Sequence, residues 1–217
     1  MTAWQDTARA LQPHAGLRAR AFVYLLRAVN ARYELWIAER KRALLGGLRG
    51  TVLEIGPGAG VNLGYYAPGI TWIGIEPNVY MQPHLRREAE SRGLQVDLRT
   101  GVAERLEAAD HSVDAVVSTL VLCSVASVAD VLQEIQRVLK PGGKYVFIEH
   151  VAAPRGTWLR RLQRILCPCF RFFAVGCHPD RETGTEIDRA GFAEVQYEHF
   201  RAPLPVVSPQ IAGVAIR

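Results

Sequence analysis

The stretch Thr51-Val52-Leu53-Glu54-Ile55-Gly56-Pro57-Gly58-Ala59-Gly60 breaks the character of the fifty residues before it. Its first five residues are mostly apolar and read as a buried parallel strand. The strand runs into a loop with glycine at every second position. Glycine there takes positive φ and lets a ligand approach the backbone. The spacing G-x-G-x-G, with Glu54 two residues ahead, departs from the G-x-G-x-x-G of a pyrophosphate cradle.

Outward from this loop the same alternation repeats. Thr71–Glu76, Gln95–Arg99, Val113–Leu122 and Lys144–Ile148 read as further strands. A helix is predicted over Ser127–Lys140, with Val128, Val131, Leu132, Ile135, Val138 and Leu139 on one face. Ser127 and Asp130 resemble a capping box, and Pro141-Gly142-Gly143 stops the helix. Alternating strands and helices imply right-handed βαβ units in a doubly wound, Rossmann-like α/β fold. After a helix near Thr183–Ala190, Ala193–Phe200 and Ile211–Ile216 read as an antiparallel edge pair. The expected sheet therefore has seven strands, mostly parallel. One domain covers 1–217: an N-terminal helical cap (1–48), a cofactor-binding core (51–151), then a lid and C-terminal strands (152–217).

Towards the N-terminus, Phe22, Leu25, Leu26, Val29, Tyr33, Trp36 and Ile37 recur at helical steps and form an amphipathic stripe. Gly46-Gly47 ends it. Residues 1–50 hold nine Lys/Arg against three Asp/Glu, so they carry the chain's +5 net charge. Such a segment suits a solvated helix face or an acidic surface partner. The first twelve residues have no apolar core, and no apolar run reaches the ~18 residues of a membrane span. Four cysteines are too few for a disulfide scaffold. A cytoplasmic protein, not a secreted one, is the expectation.

Glu76 closes the second strand, 20 residues beyond Gly56. A carboxylate there can accept both hydroxyls of a ribose. With no pyrophosphate spacing, the pair selects an adenosyl ligand, and S-adenosylmethionine suits it better than a dinucleotide.

These features, with Val138-Leu139-Lys140-Pro141-Gly142-Gly143, resemble class I methyltransferases. Thr119-Leu120-Val121-Leu122-Cys123-Ser124-Val125, Glu149-His150-Val151-Ala152, Gly176-Cys177-His178 and the ending Ala202-Pro203-Leu204…Gly213-Val214-Ala215 resemble, more narrowly, the methyltransferase-like seven family. That resemblance implies an alkyl-thiol S-methyltransferase associated with membranes. It implies cofactor contacts at Gly56, Gly58, Glu76, Val102, Ala103, Glu104, Thr119 and Leu120, to which Glu54, Pro57, Gly60, Asn62 and Pro77 are added from the loop and strand ends. Many class I enzymes carry Asp at the Val102 position, so here the backbone or Glu104 must hold the adenine. The family's animal members begin with a long apolar anchor. This chain has an Arg-rich amphipathic helix there, which suits surface attachment better than integration.

The expected reaction is methyl transfer to a small lipophilic acceptor, a thiol first, with O- or N-methylation of a quinone, phenol or phospholipid amine as the alternative. A thiol reacts as its thiolate. His150, at the carboxyl edge of the fifth strand, is the candidate base, the other reading being a loop-orienting histidine. Tyr33, Cys123, Trp158, Cys177 and His178 are the candidate acceptor-lining residues. Cys167, Cys169, Cys177 and His178 follow no familiar zinc spacing, so no metal is expected. Residues 155–173 are basic and apolar with no acidic residue, and read either as a lid that also touches a membrane surface or as a partly buried helix with snorkelling arginines. No nucleic-acid module is recognisable.

Overall fold

The computed structural model describes residues 32–174 and 176–217. The stripe members Phe22, Leu25, Leu26 and Val29, and the rest of the basic segment up to residue 31, lie outside the described residues. Residues 32–45 form a helix, α1. Then follow β1 (Thr51–Ile55), β2 (Thr71–Ile75), α2 (Gln82–Ser91), β3 (Asp97–Arg99), β4 (Val113–Thr119), α3 (Val128–Val138), β5 (Leu139–His150), α4 (Trp158–Phe173), α5 (Thr183–Arg189), β6 (Glu194–Arg201) and β7 (Pro209–Ile216).

The seven strands form one sheet in the order β3-β2-β1-β4-β5-β7-β6. The first five are mutually parallel. β7 runs antiparallel to β5 and carries β6 as an antiparallel edge. Side chains alternate across it, as a strand requires. Leu53, Ile55 and Val116 pack with Val131, Ile135 and Ile187 of α3 and α5. Val52, Ala115 and Val117 pack on the opposite face with Leu45 and Leu48 at the end of α1. Strand order reverses between β1 and β4, which opens a crevice at their carboxyl ends.

Several expected boundaries move. The helix predicted to reach Lys140 stops at Val138, and Leu139 is already extended at ψ 138°. Lys140 precedes Pro141, which disfavours helical backbone. Strand β5 therefore begins at Leu139, not Lys144. Val113 pairs with Leu139 and Ala115 with Lys144, so residues 140–143 bulge outward where Pro141 has no N–H to give. Strand β4 ends at Thr119 instead of Leu122, because Leu120 turns the chain with φ +56°. Strand β3 covers only Asp97–Arg99, two residues fewer than expected. Ser127 does cap α3, accepting from the Asp130 amide at 3.2 Å. No helix among the described residues is long and apolar enough to cross a membrane.

Candidate active site

The glycine loop follows β1 with φ of +60° at Gly56 and +56° at Gly58. A Cβ on Gly56 would lie 2.8 Å from a Val121 methyl, so this glycine lets the loops after β1 and β4 close on each other. At the end of β2, Glu76 Oε2 accepts from the Gly58 amide and Oε1 from the Asn78 amide, each at 2.8 Å. Burial raises the Glu76 carboxyl above its usual range, against those two bonds.

Glu54 sits beneath the loop. Its Oε1 accepts from Asn62 Nδ2 at 2.8 Å, and its Oε2 from the Tyr66 hydroxyl at 2.6 Å and Trp72 Nε1 at 3.1 Å. Both oxygens are thus engaged by the protein, and Glu54 acts as a brace for Asn62. Asn62 Nδ2 also donates to Thr119 Oγ1 at 3.0 Å, while its buried Oδ1 has no partner among the described residues. An orphaned buried acceptor facing a cleft is costly unless a ligand donates to it. Behind it, the wholly buried Lys41 pairs with Glu34 at 2.6 Å.

Across the crevice, Glu149 plays for β5 the part Glu54 plays for β1. It is fully buried and accepts from Ser118 Oγ at 2.7 Å, the Val121 amide at 3.0 Å and the Leu122 amide at 3.1 Å. Burial pushes its carboxyl up to about 7 despite those bonds. Glu149 thereby holds the turn that Leu120 opens. Further along, the Glu104 carboxylate accepts from the Ala126 amide at 2.7 Å and ties the 102–104 turn to the start of α3.

The result is a cleft of about 1630 Å³. A single small ligand fills roughly 300–1,000 Å³, so a cofactor and an acceptor fit together. Of the expected cofactor contacts, Glu54, Gly56, Pro57, Gly58, Asn62, Glu76, Pro77, Val102, Ala103, Glu104, Thr119 and Leu120 line it. Gly60 does not line it; its missing Cβ points at Leu63 and Leu85. Of the expected acceptor residues only His178 lines the cleft. Its imidazole is held below the usual range by burial, then by Arg181 and Arg171.

The remaining acceptor-side residues need correcting. Tyr33 is buried against the sheet, its hydroxyl donating to Gln210 at 2.8 Å. Trp158 is 73% exposed and stands outside the cleft, because it opens α4 on that helix's outer side. His150, only 4% exposed, is not on the cleft surface; its Nε2 lies 3.2 Å from Cys177 Sγ. Cys123 and Cys177 are buried with it, one residue behind the lining residues Ser124 and His178. Bonding to Cys177, then burial, holds the Cys123 thiol well above its usual range. From the segment 155–173 that the sequence offers as a lid, Pro168, Arg171 and Phe172 at the end of α4 line the cleft. Met81 and His84, at the start of α2, complete the cofactor side.

A glycine loop at the switch point, a carboxylate at the end of β2 and an unpaired acceptor on Asn62 suit an adenosyl group that ends in an ammonium. With the antiparallel β6–β7 pair, they define a class I methyltransferase with S-adenosylmethionine as its cofactor. Residues 53–147 match the family model described as a methyltransferase domain. Thiol S-methyltransferase TMT1B of Rattus norvegicus is 40% identical over 210 residues, covering 90% of this chain and 86% of that protein. Thiol S-methyltransferase TMT1A of Homo sapiens is 37% identical with the same coverage. The crystal structure of a SAM-dependent methyltransferase from Aquifex aeolicus has the same fold, with a TM-score of 0.57 at 18% identity over 82% of this chain and 87% of that one. The chain belongs to the thiol S-methyltransferase family.

Proposed function

We propose that this protein transfers the methyl group of S-adenosylmethionine to the sulfur of a small lipophilic thiol. The observation that carries this reading is 40% identity across nine-tenths of the chain to a thiol S-methyltransferase. The cleft supports it. Glu76 and Asn62 offer acceptors on one side, while Phe172, Pro168, Leu120 and Val121 offer an apolar seat on the other. In the transfer, the thiolate sulfur bonds to the methyl carbon as the methyl–sulfonium bond breaks, and the electron pair stays on the departing sulfur. The leaving group is neutral, so alignment and exclusion of water supply much of the acceleration. The protein should be incubated with methyl-labelled cofactor and matched panels of alkyl thiols, phenols and amines. Methylated thiols are expected; label on phenols or amines alone would overturn the reading.

We also propose that α4 rests on an anionic membrane surface. The helix is inverted for a soluble protein. Two of its three buried residues are polar, beside Leu159: Arg160 donates to Glu182 at 2.9 Å, and Gln163 bonds the backbone of Ala153 and Val206. Trp158, Ile165 and Phe173 are exposed beside Arg161 and Arg164. An apolar face flanked by arginines suits a headgroup boundary. Co-sedimentation with phosphatidylserine-containing vesicles should fall on Ile165→Glu. Equal binding by that variant, or none by the parent, argues against the contact.

A further inference from the structure

Behind the acceptor side of the cleft, three chemically soft groups from distant parts of the chain converge. Cys123 follows β4, His150 ends β5 and Cys177 follows α4. Cys123 Sγ, Cys177 Sγ and a ring nitrogen of His150 all lie within 4.8 Å of one another, and all three residues are buried. His150 Nε2 to Cys177 Sγ is 3.2 Å. Tetrahedral zinc with bonds of about 2.3 Å to sulfur and about 2.0–2.1 Å to nitrogen separates its ligand atoms by roughly 3.5–3.8 Å. The cluster needs only small side-chain movements to reach that spacing.

As it stands the cluster is poorly satisfied. The buried imidazole meets only the thiols of Cys177 and Cys123, and its Nδ1 has no partner among the described residues. Thiols are weak hydrogen-bonding groups, so burying an imidazole among them costs stability that a ligand would offset. The backbone meanwhile fixes the groups in place. The His178 amide donates to the Cys123 carbonyl at 2.8 Å, which locks the two cysteine segments together. On the other side, Glu149 pins the turn leading to Cys123.

We propose that Cys123, His150 and Cys177 bind one Zn²⁺ through Sγ, Nε2 and Sγ, and that the fourth position takes the sulfur of the thiol acceptor. Three protein ligands and one exchangeable position form the arrangement of a catalytic, not a structural, zinc. The ligands are flanked by cleft residues: Val121 and Ser124 about Cys123, Gly176 and His178 about Cys177. The cluster is buried directly behind this wall, so an acceptor sulfur reaches the ion from the cleft by passing between the Ser124 and His178 side chains. Coordination releases the thiol proton to water and keeps the sulfur as a thiolate near neutral pH. Zinc changes no oxidation state, and the transfer proceeds as above. The fourth-ligand half rests on the thiol reading; the metal site does not.

The test uses the full chain purified from zinc-supplemented medium. Elemental analysis should find one zinc per chain, and replacement by Co²⁺ should give a sulfur-to-cobalt charge-transfer band with the visible bands of a tetrahedral site. Cys177→Ser and Cys123→Ser should each lower metal affinity by more than about tenfold, the low end of what even an outer-shell change costs. Cys167→Ser is the control. Its thiol lies with His178 and Asp180 in a separate, half-buried group, and that variant should keep the metal. A small alkyl thiol should strengthen the charge-transfer band as a third sulfur joins. A parent protein that binds neither zinc nor cobalt overturns the site, whatever the variants do. Loss of metal in Cys167→Ser with retention in Cys177→Ser overturns the ligand assignment. A cobalt spectrum unmoved by thiol overturns the fourth ligand. Failure of the thiol reading itself would show separately, as absent thiol methylation beside an intact cobalt spectrum.

Discussion

The cofactor side and the acceptor side of the cleft are built by opposite means. On the cofactor side, strand ends and one short loop do the work, and the distances are set by backbone. Glu76 closes β2 and takes the Gly58 amide, while Glu54 near the end of β1 braces Asn62 within the next turn. On the acceptor side the wall is assembled from the turn after β4 and, about fifty residues further on, the end of α4 with the segment around Cys177 that follows it. The bond from the His178 amide to the Cys123 carbonyl and those from Arg181 to the Leu122 and Val125 carbonyls join them, while Glu149 fixes the turn itself. The first side is a feature of the fold. The second is built from the turn after β4 and the segment between β5 and β6.

The largest expected effect follows from Glu149, the brace of the acceptor side. Glu149→Ala strands the Val121 and Leu122 amides, while the Ser118 hydroxyl keeps its bond to Tyr145. Each unsatisfied buried group costs about 1–3 kcal/mol, part of it offset by removing a buried carboxylate, for a net loss of about 3 kcal/mol. Urea unfolding monitored by circular dichroism should show the midpoint drop. Glu149→Gln keeps an oxygen for the amides and should retain most of the stability. If the alanine variant is as stable as the parent, the two sides are not braced in the way described.

This contrast also governs how much was legible beforehand. The alternation of strands and helices, the edge pair and the glycine-loop contacts follow from local pattern, because hydrophobic period and glycine spacing act over ten residues or fewer, whereas Val102, Ala103, Glu104, Thr119 and Leu120 are legible only through the family resemblance. Glu76 was recognisable because a strand's end fixes where its last side chain points. The acceptor side resists that reading. Trp158 sits on a helix that presents polar residues inward, so its bulk misleads. His150 stands at the correct strand end, yet its side chain packs behind the turn at Leu120, a positive-φ residue that no glycine announces. The cysteine cluster escapes any spacing rule because its members are 27 residues apart on either side of His150. Glu149 carried one usable signal: an acidic residue inside the last turn of an otherwise apolar strand, just as Glu54 is in β1.

A medium effect is expected at Glu76. Removing its carboxylate leaves the Gly58 and Asn78 amides beside the cleft, where water reaches them, so stability should change little. Cofactor binding should not be spared. Hydrogen bonds to a charged acceptor contribute about 1.5–3 kcal/mol, which corresponds to roughly 10–100-fold in dissociation constant. Titration calorimetry of Glu76→Ala with S-adenosylmethionine measures this directly. Unchanged affinity would move the ribose contact to another residue and erase the cofactor half of the comparison.

The smallest effect is also the one that separates the two sides most cleanly. Phe172 stands half-exposed at the end of α4, lines the cleft and touches the ring of Phe173 with centroids 4.8 Å apart. An alkyl chain lying on that ring loses contact in Phe172→Ala, and the loss grows with the area that was covered. With about 25 cal/mol per Å² and a few tens of Å² at stake, the cost is about 1 kcal/mol, or roughly fivefold in kcat/KM. The cofactor's dissociation constant should stay at the parent value, since no part of its pocket has moved. The effect should also shrink towards nothing for the shortest alkyl thiol, whose chain does not reach α4. A uniform loss across chain lengths, or a loss shared with the cofactor, would mean that α4 shapes the whole cleft and not its acceptor side alone.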